Sequence, residues 1–157
     1  ELIYLPFLYG SNLNPLALGS FIGLQGWQSR NHVIRSIYEG ICFSHRYHIG
    51  KLLKYLSPPE AARIAGGGAK SIQWAQMFAD VLQIPIEITE ASELGALGAA
   101  ICAAVGSGQY KDVEAAVAGM VKTTKVVTPD KSKKDIYTKK YNRYLEAAAA
   151  LDGYWKE

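Results

Sequence analysis

The chain has 157 residues, 49% hydrophobic and 20% charged, with a formal net charge of +3 at pH 7. This composition excludes general disorder and gives one globular domain enough apolar surface for a core without disulfides. A charge this mild is no argument for a nucleic-acid partner, and no apolar run reaches the roughly 18 residues of a membrane span.

Residues 1–28 are rich in aromatics, Gly, Asn and Pro, among them Tyr4, Phe7, Tyr9, Asn12, Pro15, Phe21, Gly23 and Trp27. They predict extended segments joined by turns, with too little periodicity to bury their own apolar side chains, so the stretch is expected to be docking surface. From Ser29 the pattern turns helical. Val33, Ile34, Ile37, Ile41, His48, Ile49 and Leu52 recur at helical spacing, Ser29 or Asn31 can cap the start, and Ser57-Pro58-Pro59 is the stop. A short element over 62–65 leads into Gly66-Gly67-Gly68 and a second predicted helix over about 70–82. Pro85 breaks it, and 84–89 reads as a strand. Ser92 is placed to cap a third helix, 93–105, made mostly of Ala, Leu and Gly that suit close packing. A helix over 113–121, a strand over 125–128 and a last helix over 132–151 follow. The order predicts an α/β fold, a small sheet with several packed helices. It divides into an extended segment, 1–28, and an α/β body, 29–157.

The stretch Gly66-Gly67-Gly68-Ala69-Lys70-Ser71 lies between an apolar segment and a helix, where a phosphate can approach bare backbone N–H groups. It is not a P-loop, because Ala69 precedes the lysine and Ile64 stands where the first glycine belongs. It is not a dinucleotide fingerprint either, because Ser71 takes the last glycine position. Local chemistry leaves a phosphate contact and a plain strand-to-helix turn both open. Cys42, His45 and His48 are three apart on one helix, which puts Cys42 and His48 about 120° from each other, a poor arrangement for one metal ion. No metal ligand is assigned. Neither is a catalytic residue, since Glu39, Asp80, Glu87, Glu90 and Glu93 form no convincing general base. Eight basic residues between Lys122 and Arg143 read as a solvated helix face rather than a nucleic-acid patch. Cys42 and Cys102 fit a reduced, cytoplasmic setting, and no signal peptide is visible. The chain lacks an initial Met and starts in an apolar segment, so it is expected to be part of a longer polypeptide.

Gly19-Ser-Phe21-Ile-Gly23-Leu24, then seven residues, then His32-Val33-Ile-Arg35-Ser36-Ile37-Tyr38-Glu39 resembles the second signature of the FGGY carbohydrate kinases. Gly66-Gly67-Gly68-Ala69-Lys70-Ser71 with Trp74, Gln76-Met77 and Ala79-Asp80-Val81 is similar to that family's adenosine-binding segment, and Glu93–Ala100 resembles the helix after it. The wording of Phe7–Pro15 is similar to that of ketopentose kinases of the L-xylulose kinase kind. The resemblance implies a ribonuclease H-like (actin-like ATPase) C-terminal domain that binds ATP, with Mg2+, through Gly66, Gly67, Gly68 and Ser71. It also implies an N-terminal sugar-binding domain, absent from these residues, which would supply the catalytic Asp and hold the sugar substrate. Ser71 stands where some relatives place an Asn near adenine, which puts an adenine hydrogen bond there in doubt. A homodimer is left open, and no nucleic acid or membrane is implied. The competing expectation is a non-enzymatic actin-like nucleotide-binding or scaffold module; a catalytic Asp upstream would separate the two.

Overall fold

A computed structural model describes residues 2–12, 14–90 and 93–156. The described residues fall into two compact units, one from Glu1–Pro58, Asp80–Leu82 and Asp130–Glu157, the other from Pro59–Ala79 and Gln83–Pro129.

In the first unit, β1 (Ile3–Leu5) and β2 (Ser20–Ile22) pair antiparallel, with Tyr4 opposite Phe21 and their rings 4.7 Å apart. Helix α1 (Arg30–Leu52) begins at Ser29, whose backbone N–H donates to His32 Nδ1 at 3.1 Å, so Ser29 rather than Asn31 is the cap. The helix ends at Leu52, ahead of the prolines, in a turn closed by the Leu53 N–H on the Ile49 carbonyl. Its aliphatic row is not its core face: Ser36, Glu39, Gly40, Cys42 and Phe43 are buried, while Ile34 is exposed. The reason is β1, which packs on α1 so closely that a Cβ on Gly40 would run into the Tyr4 carbonyl. The last helix (Lys134–Asp152, called α5 below) packs on both β1 and α1, and Phe43 meets Tyr137, Tyr141 and Tyr144 at ring distances of 5.6–6.4 Å. Residues 1–28 therefore divide in two. Leu2, Tyr4, Leu5, Phe7 and Ala17 are core, against expectation, while Tyr9, Phe21, Leu24 and Trp27 stay exposed.

The second unit holds a three-stranded sheet in the order β3 (Ala62–Ile64), β4 (Ile86–Thr89), β5 (Thr123–Val127). Strands β3 and β4 run parallel, joined through helix α2 (Ile72–Leu82), and β4 and β5 run antiparallel. Arg63 and Glu87 are opposite each other in the register and form an ion pair at 2.7 Å. Helices α3 (Leu94–Gly106) and α4 (Val113–Met120) pack together between β4 and β5 in the chain. Ser92 lies outside the described residues; Glu93 precedes α3 without a side-chain cap. In α3 only Ile101 and Ala104 are buried, so the small residues at its start do not serve close packing among the described residues. The body is α/β as expected, with two small sheets.

Candidate functional site

The glycine turn begins where β3 ends. Ala65 is extended, Gly66 has φ +73°, and Gly66–Lys70 coil into a single 3-10 run before α2. A φ in the left-handed region favours glycine, because an L side chain there crowds its own carbonyl. Gly67 is exposed, and no atom lies within 4 Å of where its Cβ, or that of Gly66, would stand. Gly68 differs: its Cβ would lie 3.3 Å from the Trp74 ring and 3.5 Å from Ile64 Cδ1. The turn thus rests on Trp74 at one glycine and bares its backbone at the other two.

Ser71 closes the turn. Its N–H reaches the Gly68 carbonyl at 3.3 Å, and its hydroxyl caps α2 by accepting the Trp74 N–H at 3.3 Å. Gln76 donates to the Thr128 carbonyl at 2.9 Å, which ties α2 to the segment after β5. All four expected residues, Gly66, Gly67, Gly68 and Ser71, therefore lie in one continuous turn at a strand-to-helix junction.

The carboxylates have other work. Asp80 is buried, accepting the Asp130 N–H at 2.8 Å and the Lys133 ammonium at 3.1 Å. The hydrogen bond to Asp80 holds the Lys133 pKa above the ordinary lysine value, and Asp130 adds to it. Glu39 is bound by Arg35 and Lys140, and Glu87 by Arg63. Lys133 and Lys140, two of the basic residues near the C-terminus, are thereby part of the internal framework. These long-range pairs escaped the sequence reading, because nothing local links position 39 to 140 or 80 to 133. Cys42 is fully buried, and among the described residues no group of three or more His, Cys, Asp or Glu side chains converges to hold a metal ion. Among them, too, no helix is long and apolar enough to cross a membrane.

Residues 2–107 match the family model for the FGGY family of carbohydrate kinases, C-terminal domain. The chain is 38% identical over 154 residues to the L-xylulose/3-keto-L-gulonate kinase of Escherichia coli (strain K12), covering 98% of this chain and 31% of that protein. It is 34% identical over 156 residues to a protein of Haemophilus influenzae named probable L-xylulose kinase, covering 96% of this chain and 30% of that one. Among solved structures, the xylulose kinase from Rhodospirillum rubrum superposes with a TM-score of 0.86 at 30% identity, over 98% of this chain and 31% of that one. The chain thus spans about a third of the length of these relatives, and its α/β architecture is the actin-like one of such kinases. On the family match over two thirds of its residues, the chain belongs to the FGGY family of carbohydrate kinases, as C-terminal domain.

Proposed function

We propose that this chain is the nucleotide-binding C-terminal portion of an ATP-dependent kinase that phosphorylates a hydroxyl of a ketose, L-xylulose or a related pentulose. The single observation that carries the nucleotide reading is the bared backbone of Gly66 and Gly67 at the head of α2, where nothing stands within 4 Å of either Cβ position. The sugar class rests on what the relatives are named for.

The residues present fit a nucleotide. Gly66 and Gly67 leave room for a phosphate or ribose to approach the main chain, Gly68 seats the turn on Trp74, and Ser71 fixes the start of α2. ATP would bring the transferable γ-phosphoryl group, with Mg2+ spreading its charge. This chain's part is to hold and orient the nucleotide; positioning is most of phosphoryl-transfer catalysis, and the proton acceptor and sugar contacts belong to the remaining two thirds of the enzyme. A cytoplasmic enzyme is the natural setting for such chemistry.

Gly67→Val tests the site. The open space around Gly67 allows the side chain without a clash, so the melting temperature should hold. A branched side chain over the bare backbone should weaken ADP binding by about tenfold, about 1.4 kcal/mol. Fluorescence titration of the complete polypeptide with a labelled ADP reads this. Unchanged affinity would remove the glycine turn from the nucleotide site.

A further inference from the structure

Three residues of the signature-like stretch, His32, Arg35 and Glu39, have no part in the nucleotide reading, yet they come together in a hollow of the first unit. Its volume is about 310 Å3, at the lower end of small-molecule sites. Leu2 and Trp27 form its apolar lining, and its polar lining includes Gln28, His32, Arg35 and Lys140.

The polar groups are unbalanced toward donors. The Glu39 side chain is 5% exposed, and both its oxygens are taken: Arg35 Nε donates at 2.9 Å, and Lys140 Nζ lies 2.9 Å from each. Two cations share this one carboxylate, so the side chains lining the hollow carry a formal net charge of +1. Arg35 also hydrogen-bonds the Tyr137 hydroxyl, and the remaining N–H groups of its five-donor guanidinium lie on a side chain that is 60% exposed. Ser29 N–H donates to His32 Nδ1, which fixes the proton of the neutral ring on Nε2 and makes that atom a donor. The Gln28 side-chain oxygen accepts the Gln25 N–H at 2.9 Å, which leaves its amide NH2 as the donating end. The Trp27 indole, two thirds exposed and edge-on to His32 at 5.4 Å, adds a flat apolar wall.

Donors in excess, the Glu39 and Gln28 oxygens already occupied and a net positive formal charge beside an indole suit an oxyanion with some apolar body. We propose that this hollow binds the phosphate or carboxylate group of a small metabolite, with Arg35 as its principal anchor and His32 and Gln28 as neutral donors.

The test is residue-resolved labelling of arginines by phenylglyoxal in the complete polypeptide, mapped by peptide mass spectrometry, with inorganic phosphate or acetate added at constant ionic strength. Arg63, held by Glu87, serves as the internal reference. Phosphate at twice its dissociation constant should slow Arg35 labelling about threefold while Arg63 is unaffected. His32→Ala should weaken that protection without lowering the melting temperature much. Protection by phosphate alone, or by acetate as well, tells a phosphate ligand from a general oxyanion site. Three results overturn the proposal: an Arg35 rate that neither anion changes, one that falls in step with Arg63, or an Arg35 that does not react at all because another part of the polypeptide covers it.

Discussion

Glu39 and Gly40, adjacent on α1, show how much one residue depends on partners that sequence spacing does not reveal. Burying a carboxylate costs several kcal/mol unless it is paired and hydrogen-bonded, and Arg35 and Lys140 do both. Gly40 is required for a different reason, the backbone of β1 lying against it. Alanine would improve α1 by about 1 kcal/mol in intrinsic propensity, but its methyl would strike a main-chain carbonyl that cannot turn aside. The steric term should win, and Gly40→Ala is expected to lower stability by about 2 kcal/mol net. Gly50, on the same helix with nothing within 4 Å of its Cβ position, is the control. Gly50→Ala should raise stability by up to about 1 kcal/mol. Urea denaturation of the two variants decides it; equal effects would mean that α1 and β1 are not in tight contact.

Between elements, the first unit is joined by aromatic rings of α1 and α5. Phe43 meets three tyrosines, Tyr141 and Tyr144 lie nearly parallel, and the Arg46 guanidinium sits 4.4 Å from the Tyr141 ring centre. Burial pushes the Tyr144 phenol well above the usual tyrosine range, a hydrogen bond with Ser44 offsetting only part of this, and burial raises Tyr137 as well. The folded values lie above the unfolded one near 10, so this contribution to stability is complete below pH 10. Above it the unfolded chain releases phenolic protons that the folded chain retains, and stability falls as pH rises. Denaturation midpoints at pH 9 and pH 11 should show that decline, and Tyr144→Phe should make it shallower, by up to about 1.4 kcal/mol per pH unit for one fully shifted group. A variant with the same slope as the native chain would mean that Tyr144 is accessible to solvent.

At the scale of the whole molecule, the proposed nucleotide role makes this chain one wall of a reaction site. Glu39, Asp80 and Glu87 are bound to cations, and none is placed to take a proton from a sugar. The isolated 157-residue chain should therefore show no sugar-dependent release of ADP, whereas the complete polypeptide should. A coupled assay with L-xylulose and D-xylulose separates the outcomes, and turnover by the isolated chain would require a base among its own carboxylates. Tyr9 and Leu24 remain largely exposed, and we propose that they belong to a surface for docking another part of a longer polypeptide.

Sequence by itself determined the elements and the family. Glycine and proline punctuation marked the turn at 66–68 and the break at Pro85, periodicity placed α1, α2 and α5 within a few residues, and the spacing from Gly19 to Glu39 carried the kinship. These are local signals, written in backbone preference and residue spacing. Only the tertiary structure decided which face of α1 is core, that Tyr4 and Phe7 are buried while Trp27 is not, and that Lys140 and Lys133 serve the fold. Each of those depends on contacts between residues far apart in the chain. Their free energy comes from burial and charge pairing, which residue order alone does not encode at either partner.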